Sequence, residues 1–546
     1  MMPPNRNSLA SPQPNFPSGV ALALLVAVYL LPGLVGHDPW RGDDVRSFSV
    51  VLGMLNGENW LFPHVAGEPS TVFPPLYYWV STLFALAFGW LLPLHDAARL
   101  ATGLFAALTI LWIARSAERL YGKSARTTAG LLTIGTLGLA IHAHEMQPMI
   151  ALLAMQALTL AGLAKMAEDP LRGGAQAALG TALAFLAAGP IGLLLTIPLF
   201  LLLALACPEC RTPRASGALT LSLSLALGAC AIWPVLLGQK YPELVTLWWG
   251  DAIAVLGGPN ARNDSLLDMV ELLGWFLWPL WPIALWALWR NRRALIRMPI
   301  LLPLGSIVMA TGVLYAVGEF HHARVLPLIP GFALLAAVGV QSLRRGAANA
   351  FDWFALMTFA VFAVLVWLAW TAQALQWPPG LARSLARSAP DFVLAWSFTQ
   401  IALGVSITVG WLVLVSRMPR AVNRGPTNWA MGTTMLWCLA VTLLLPWFNH
   451  DRSYRAVSAS LAIALAGEPP GCVASIGLTS SHRAALDYFA DLRTEAVNDN
   501  ETGCPYLLVR VDGRSGIEPA APWQQIWEDR HAGGRRLELF RLYRRE

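Results

Sequence analysis

A charged cluster in the segment Gly42–Trp79 is the part of the chain best suited to chemistry. The segment follows the first long apolar run and opens with Asp43, Asp44 and Arg46 in the sequence DDVR. A carboxylate can take a proton from a nucleophile, and a guanidinium can bind a phosphate through two parallel hydrogen bonds. Only 13% of the residues are charged, so paired aspartates beside an arginine stand out here. We therefore predict that this cluster forms part of a site, although paired aspartates after an apolar run can also be solvated loop residues.

Further ionisable residues stand at two later positions between apolar runs. Glu145 lies in the turn IHAHEMQP, and the segment GEFHHAR at 318–324 contains His321, His322 and Arg324. Ionisable groups at membrane depth are costly and usually functional, whereas Glu145 at the membrane surface would only cap a helix. Histidines and carboxylates would together suit a divalent metal, but no HExxH-type spacing supports a metal site. No cofactor is therefore predicted, and a divalent metal stays open as an alternative.

These candidates must be held at a membrane surface, and the composition indicates the elements that would do so. The chain has 546 residues, of which 56% are hydrophobic, and its mean hydropathy is +0.53. A soluble protein could not bury so much apolar surface, so we predict a mostly α-helical polytopic membrane protein. The net charge of +6 comes mainly from Lys and Arg in short loops rather than from one basic patch, which argues against nucleic-acid binding.

Apolar runs of spanning length predict about thirteen transmembrane helices. Residues 175–206 are too long for one crossing and are divided at Gly189-Pro190, while residues 76–93 are interpreted as a re-entrant or interfacial segment. With the N-terminus inside, most Lys and Arg of the loops fall on the inner side. This topology places four segments on one outer face: the Asp43 loop, the Glu145 turn, the loop 238–271 and GEFHHAR.

The predicted organisation has three parts. Residues 1–18 form a disordered cytoplasmic N-terminus, residues 19–446 form the transmembrane domain with an outer loop at 37–75, and residues 447–546 form an outer α/β accessory domain. Cys472 and Cys504 flank strands of the last domain and would pair in an oxidising compartment. Its predicted elements are helices near Tyr454–Ala466 and Arg483–Leu492 and strands near Cys472–Ile476, Tyr506–Val511 and Leu537–Tyr543.

Several short motifs resemble a known family. Three lie in the first outer loop: DDVR at Asp43–Arg46, NGENWLFPHVAG at Asn56–Gly67 and FPPLYYW at Phe73–Trp79. Three more follow in the family's order: HEM at His144–Met146, AAGP at Ala187–Pro190 and RVLPLIPGFALL at Arg324–Leu335. Together they resemble the glycosyltransferase family that includes protein O-mannosyltransferases and the bacterial aminoarabinose transferases that modify lipid A.

The resemblance implies a GT-C fold and a transferase of the bacterial inner membrane. It would use a polyprenyl-phosphate-linked sugar as donor, with its active site and C-terminal domain on the periplasmic side. The acceptor would be lipid A, another glycolipid, a polysaccharide or a protein of the envelope, and direct attack by the acceptor would invert the anomeric centre. Membrane lipids are further expected partners, and nucleic acid is not.

The resemblance also implies roles for individual residues. Asp43 would act as the base for the acceptor hydroxyl, while Asp44 and Glu145 would orient the acceptor or share the charge. The departing lipid phosphate gains charge and needs cations aimed at it. The residues expected to bind this phosphate are Arg46, Arg324, His321 and His322.

Two positions depart from the family pattern. The family's lysine before Pro-Pro is Phe73 here, and its lysine in Lys-Gly-Pro is Ala188. Either Arg46, Arg324 and the histidines suffice, or the donor headgroup is held differently, or the chain is a divergent, non-catalytic envelope assembly protein. A transporter or flippase for lipid-linked sugars is another alternative, but it would place charges at mid-membrane and show symmetry between its halves.

Overall fold

The structure is a computed structural model that describes residues 19–257, 266–317, 322–389, 392–395, 397–419, 421–497, 502–511, 522–533 and 536–546. His321, one of the residues expected to bind phosphate, lies outside these ranges, and so does the N-terminal segment 1–18. Within the described ranges the chain forms a helical body followed by a five-stranded sheet domain.

The first part of the helical body contains nine helices and a short antiparallel hairpin. The hairpin pairs β1 (His64–Val65) with β2 (Glu68–Pro69). The helices are α1 (Gly19–Leu30), α2 (Asp43–Leu55), α3 (Leu76–Phe88), α4 (Leu94–Tyr121), α5 (Lys123–Ile134), α6 (Leu137–His142), α7 (Pro148–Lys165), α8 (Pro170–Ala188) and α9 (Pro190–Ala206).

The second part of the body continues with helices only. A short 3-10 helix at Pro208–Cys210 precedes it, and a longer one at His322–Leu328 leads directly into α15. The helices are α10 (Pro213–Lys240), α11 (Pro242–Gly257), α12 (Leu266–Phe276), α13 (Leu280–Arg290), α14 (Met298–Val317), α15 (Ile329–Gln341), α16 (Arg345–Ala374), α17 (Pro379–Ser388), α18 (Phe398–Ser416) and α19 (Arg424–Arg452).

Eight segments of the described ranges are long and apolar enough to cross a membrane. A helix rises about 1.5 Å per residue, so roughly 20 apolar residues span the hydrocarbon layer. Seven of these segments are α4, α7, α10, α14, α16, α18 and α19, and the eighth joins the 3-10 helix at His322–Leu328 to α15. A ninth would combine Met269–Phe276 with α13, which are bent by 93° relative to each other. The chain is thus a multi-pass membrane protein, while the predicted number of thirteen crossings is not confirmed.

The helix break predicted at Gly189-Pro190 in the long apolar run 175–206 is confirmed, whereas two crossings by this run are not. α8 ends at Ala188 and α9 begins at Pro190, with Gly189 between them at a φ of +58°. A positive φ suits glycine, and proline lacks the N–H that would continue the helix, so the break follows from these two residues. α3 has 13 residues and is shorter than a crossing requires.

Helix α7 lies in the core of the body and is buried along almost its whole length. It approaches α8 so closely that a Cβ added at Gly162 would clash with the backbone of Ala177. Small residues allow such contact between membrane helices, where van der Waals packing replaces the hydrophobic effect. The turn that contains Glu145 therefore leads directly into a tightly packed helix.

The C-terminal domain contains two helices and a mixed sheet. Its elements are α20 (Arg455–Ala466), β3 (Val473–Ile476), α21 (Ser480–Ala490), β4 (Thr494–Ala496), β5 (Tyr506–Val511), β6 (Trp523–Gly533) and β7 (Arg536–Arg545). The strand order is β4-β3-β5-β7-β6, in which β3 is parallel to β4 and β5, and β7 is antiparallel to β5 and β6. Cys472 and Cys504 precede the parallel strands β3 and β5 and form a disulfide. The predicted helices and strands are confirmed, and β4 and β6 are additional.

The C-terminal domain packs against the loop that follows α1. The backbone N–H of Gly42 donates to Ser481 Oγ of α21 at 2.9 Å, and Arg455 Nε lies 2.9 Å from Asp38 Oδ2. A third contact joins Arg493 Nη1 to Glu58 Oε1 at 2.8 Å. Two parts of the chain that are more than 400 residues apart thus share one surface.

Candidate active site

Asp43 is the first residue of α2, and its side chain contacts the turn before α7. Gly42 precedes it with a φ of +96°, which turns the chain into the helix. The carboxylate pairs with Arg46 one turn along α2, and its Oδ2 accepts a hydrogen bond from Gln147 Nε2 at 2.8 Å. The side chain retains 19% of its exposure. Asp43 is therefore an anchored carboxylate that a small molecule can still approach.

Asp44, by contrast, is buried and points into the protein. Its oxygens accept hydrogen bonds from the backbone N–H groups of Trp40 and Met146, both at 2.8 Å. Its Oδ2 also lies 3.3 Å from Arg99 Nη2. Burial raises the pKa of this carboxyl, but the charges of Arg99 and His37 and the two backbone hydrogen bonds outweigh it, so the net pKa lies below its ordinary value. Asp44 is thus ionised at neutral pH and links the first loop to the turn before α7.

Arg99 is the partner that the sequence analysis did not anticipate. Its guanidinium is fully buried and donates to the backbone oxygens of Leu34 and His37, each at 3.2 Å, and to Asp96 Oδ1 at 2.8 Å. These contacts fasten the loop after α1 to the first turns of α4. The sequence did contain a signal for Arg99. An Asp-x-x-Arg pair inside an otherwise apolar helix costs free energy unless the two side chains have charged partners or a function.

Glu145 lies in the turn before α7 and pairs with a histidine. Its Oε1 lies 2.5 Å from His142 Nδ1 at the end of α6. The next two residues connect this turn to the paired aspartates, since the Met146 N–H contacts Asp44 and the Gln147 side chain contacts Asp43. The motifs DDVR and HEM, about 100 residues apart in sequence, therefore meet in the fold.

Three neighbouring cavities surround these residues. The first, the polar cavity, has a volume of about 330 Å³, and the second, the middle cavity, has about 170 Å³. The third, the apolar cavity, has about 480 Å³. The polar cavity is lined by Asp43, Arg46, His142, Glu145, Gln147 and His322 among others. The middle cavity is lined by Asp43, Arg46, Glu68, Phe73, Tyr78 and Arg483 among others.

The three cavities follow one another through shared walls. Asp43 and Arg46 line both the polar and the middle cavity, and residues 71–73 line both the middle and the apolar cavity. Asp44 is not among the described residues that line any of the three. Asp43 is consequently the predicted carboxylate that borders two of these spaces.

The residues expected to bind phosphate do not all share one cavity. Arg46 and His322 line the polar cavity, whereas Arg324 lines the apolar cavity. Phe73 and Ala188, the two positions where the family pattern has lysine, also line the apolar cavity. Arg324 is the only basic residue among the described residues of that lining. The apolar cavity thus combines one guanidinium and one carboxylate, that of Asp251, with a mainly aliphatic and aromatic wall.

A metal site has little support in the described part of the chain. Cys472, Glu495 and Cys504 bring three ligand-type side chains within 4.8 Å of one another. Both sulfur atoms belong to the disulfide, so neither is available as a thiolate. Near the cavities, His142, Glu145 and His322 share a lining, but no three of the described side chains there form a compact ligand set.

The fold was compared with solved structures. Two crystal structures of ArnT from Cupriavidus metallidurans, one in the apo state and one bound to undecaprenyl phosphate, each match with a TM-score of 0.70. The matches cover 96% of this chain and 96% and 97% of those chains, at 17% and 18% sequence identity. The chain has the GT-C fold. This architecture confirms the fold that the motifs DDVR, HEM and RVLPLIPGFALL implied.

An archaeal oligosaccharyltransferase has a less similar fold. AglB from Archaeoglobus fulgidus, solved in complex with an inhibitory peptide and a dolichol-phosphate, matches with a TM-score of 0.50 at 10% identity. The match covers 90% of this chain and 68% of that one. No protein-family profile and no curated protein matches the sequence.

Proposed function

We propose that this protein is a membrane glycosyltransferase that moves a sugar from a polyprenyl-phosphate carrier to an envelope acceptor. The observation that carries this proposal is the position of Asp43, which lines two adjacent cavities beside an apolar one. The GT-C neighbours support the donor class, because ArnT was solved with undecaprenyl phosphate and AglB with a dolichol-phosphate.

The apolar cavity suits the lipid part of the donor. Its wall includes Ile191, Leu195, Val313 and Leu314, which can contact an isoprenoid chain, and Arg324 can bind the phosphate at its head. Because Phe73 and Ala188 stand where the family has lysines, Arg324 carries more of the phosphate binding than its counterpart would. Arg46 lines the middle cavity, which is next along the row, and can stabilise charge on the leaving phosphate, while His322 lies beyond it in the polar cavity.

The proposed reaction is a direct displacement at the anomeric carbon. The acceptor hydroxyl attacks C1 of the sugar, the bond from C1 to the lipid phosphate oxygen breaks, and its electron pair leaves with the phosphate. The hydroxyl proton passes to Asp43, and attack opposite the leaving group inverts the anomeric centre. A carboxylate has about four acceptor sites, so Asp43 can bind the hydroxyl while it retains Arg46 and Gln147.

The other two predicted acidic residues take different positions in this scheme. Asp44 holds the site together through Arg99 and Met146, which makes it a positioning residue. Glu145 lines the polar cavity with His142, where it can orient an acceptor hydroxyl or donor sugar. The protein would act at the periplasmic face of a bacterial inner membrane, with its C-terminal domain on that side and thirteen crossings in total.

A non-catalytic assembly protein is the second candidate. The observation that favours it is the absence of both family lysines from the described wall of the apolar cavity, where Phe73 and Ala188 stand instead. A carrier that binds the lipid phosphate without catalysis would need Arg324 but not Asp43. The role of Asp43 therefore separates the two candidates.

The test compares the envelope of a deletion strain with complemented strains. Wild type, Asp43→Asn and Asp491→Asn are returned to the deletion, and envelope glycolipids, glycans and secreted proteins are measured by mass spectrometry. Asp491 makes a matched control, since it is exposed in the C-terminal domain at a φ of +49°, a conformation that asparagine tolerates well.

We expect one sugar-bearing mass to be lost in the deletion and restored by wild type and by Asp491→Asn. Asp43→Asn should restore about 100-fold less product or lower, which is the contribution of a general base. Normal product from Asp43→Asn at equal protein level would remove Asp43 as the base. No change in any mass between wild type and deletion would favour the non-catalytic candidate.

A further inference from the structure

The middle cavity has one wall from the C-terminal domain. Arg483 and Ser480, both in the first turn of α21, line it together with Asp43 and Arg46 of α2. Arg483 is only 8% exposed although it borders this space. A second basic group, from a part of the chain with no role in the scheme above, therefore stands beside the proposed base.

Arg483 is occupied by a carboxylate of the protein. Both terminal nitrogens of its guanidinium pair with the two oxygens of Glu68, with a distance of 2.6 Å from Nη2 to Oε2. Parallel bonds of this kind are the way in which arginine binds carboxylates and phosphates. The third donor, Nε, is buried and has no hydrogen-bond partner among the described residues. The binding capacity of the guanidinium is thus not exhausted by Glu68.

The two members of this pair differ in freedom. Glu68 is 49% exposed and follows the hairpin turn at Ala66 and Gly67, which have φ values of +50° and +82°. Its carboxylate can turn into water at little cost, whereas Arg483 is held among buried groups. The hydrogen bonds from Arg483 keep the pKa of Glu68 below its ordinary value, and partial burial opposes this, so Glu68 is charged at neutral pH.

We propose that Arg483 recognises an anionic group of the acceptor, and that Glu68 occupies the place of this group in the free protein. The proposal rests on the proposed function and adds to it the acceptor class: a molecule with a phosphate or carboxylate close to the attacking hydroxyl. Such an acceptor is repelled by Asp43 and Glu68 unless a cation compensates in the same cavity. Arg46 lines the same cavity but is paired with Asp43, so Arg483 supplies the cation for the acceptor, and Glu68 is displaced as the acceptor binds.

The Glu68→Gln variant distinguishes competition with the acceptor from a purely structural ion pair, because the two explanations predict opposite results for it. If Glu68 competes with the acceptor, Glu68→Gln removes the competing charge and tightens acceptor binding, while Arg483→Gln weakens it. If the pair only ties the hairpin to the C-terminal domain, both variants weaken binding through the same loss of order. Glu58→Gln is the matched control, because Glu58 pairs with Arg493 between the same two parts of the chain and is not among the described residues lining the cavities.

The experiment uses full-length protein in lipid nanodiscs. Donor lipids, acceptor lipids and polysaccharides are extracted from the deletion strain, and each acceptor extract is separated by anion exchange into neutral and anionic fractions. Product is measured by mass spectrometry against acceptor concentration for wild type, Glu68→Gln, Arg483→Gln, Arg483→Lys and Glu58→Gln. The two anionic fractions distinguish a lipid source of the anion from a polysaccharide source, and thermal midpoints show which variants remain folded.

We expect transfer to an anionic fraction only. The acceptor concentration at half-maximal rate should rise about tenfold in Arg483→Gln, as for loss of a charged hydrogen-bonding partner. It should rise less in Arg483→Lys, which keeps the charge but loses the two-pronged geometry. It should fall in Glu68→Gln and stay unchanged in Glu58→Gln, with similar maximal rates for all folded variants.

Two results would overturn the inference while leaving the proposed function intact. One is equal transfer to a neutral fraction, and the other is a rise in half-saturation for Glu68→Gln that matches Arg483→Gln. Arg483→Lys keeps the test open if Arg483→Gln does not fold. Transfer by wild type to no fraction would overturn the inference and would contradict the proposed function for lipid and polysaccharide acceptors.

Discussion

Arg99 shows how a single buried residue can hold a site without touching its cavities. It pairs with Asp44 and Asp96 and donates to three backbone oxygens of the loop after α1. Replacing it by leucine leaves two buried carboxylates without their cation, which lowers the free energy of unfolding by about 3–5 kcal/mol. We therefore expect Arg99→Leu to lower the thermal midpoint of the purified protein strongly and to abolish transfer.

The matched control is Arg126→Gln, which removes a partly exposed ion pair with Glu118. Exposed pairs contribute about 0–1 kcal/mol, so this variant should unfold near the wild-type temperature. Unchanged unfolding of Arg99→Leu, measured by thermal shift in the same detergent, would show that the loop after α1 is held by other contacts.

Residues that act through local motifs were predictable, and residues paired across the chain were not. The order of DDVR, HEM and the segment at Arg324 indicated that Asp43, Arg46 and Glu145 belong to one region, and the first and second motifs do meet. Arg483 carried no such signal, because its partner Glu68 lies 415 residues earlier and neither residue belongs to a recognisable motif. Arg324 was assigned to the same phosphate site as Arg46, yet the two residues line different cavities.

Among elements, the predictable ones follow from strong local preferences. The break between α8 and α9 required only the Gly189-Pro190 pair, and β3 and β5 are mainly apolar runs. β4 has three residues and is ordered by pairing with β3 rather than by its own sequence. β6 carries polar residues such as Gln524 and Gln525 and is defined by its antiparallel partner β7. Such elements depend on tertiary contacts that no local pattern encodes.

One carboxylate joins four elements of the C-terminal domain. Glu538 of β7 accepts a hydrogen bond from Tyr454, just before α20, at 3.0 Å, and lies 3.5 Å from His482 of α21 and 3.6 Å from Arg510 of β5. Burial raises the pKa of Glu538, but His482, Tyr454 and Arg510 lower it by more, so that the pKa is about 2 instead of the ordinary 4.5. Its charge therefore contributes to the cohesion of this domain.

The sign of the pH effect follows from this depressed pKa. The contribution of Glu538 is fully present above pH 4.5 and is lost as the pH falls from 4.5 towards 2, where the folded domain also takes up the proton. A shift of this size corresponds to roughly 3 kcal/mol at most. We expect Glu538→Gln to lower the thermal midpoint at pH 7 and to differ progressively less from wild type below pH 4.5.

The measurement is the thermal midpoint of full-length protein between pH 3 and 7, with Glu495→Gln as the control. Glu495 is exposed on β4 in the same domain, so its replacement should have little effect at any pH. A constant difference between Glu538→Gln and wild type across this range would show that Glu538 stabilises by packing rather than by charge.

At the scale of the whole molecule, the cysteines report the side of the membrane on which each part lies. Cys472 and Cys504 are paired, whereas Cys207, Cys210, Cys230 and Cys438 are free. Disulfides persist in oxidising compartments such as the periplasm and are rare in the cytosol. The proposed periplasmic position of the C-terminal domain therefore has a chemical readout.

We expect four adducts when protein from intact cells is denatured and labelled with a maleimide-linked polymer, and six adducts after reduction. Cys472→Ser should give five adducts with or without reduction, since Cys504 loses its partner and joins the four free thiols. Each adduct is counted by its shift on a denaturing gel. Six adducts for the wild type without reduction would place the domain on the reducing side.

The apolar cavity and the middle cavity have walls from different parts of the chain. The helical body forms most of the apolar cavity, while the hairpin and the first turn of α21 form much of the middle one. Because the two spaces meet at residues 71–73, sequence change on either side leaves the other wall largely intact. On the proposed function, evolution could replace the surface that selects acceptors and keep the machinery for the lipid-borne sugar, so that one scaffold would serve diverging surface chemistries in different cells.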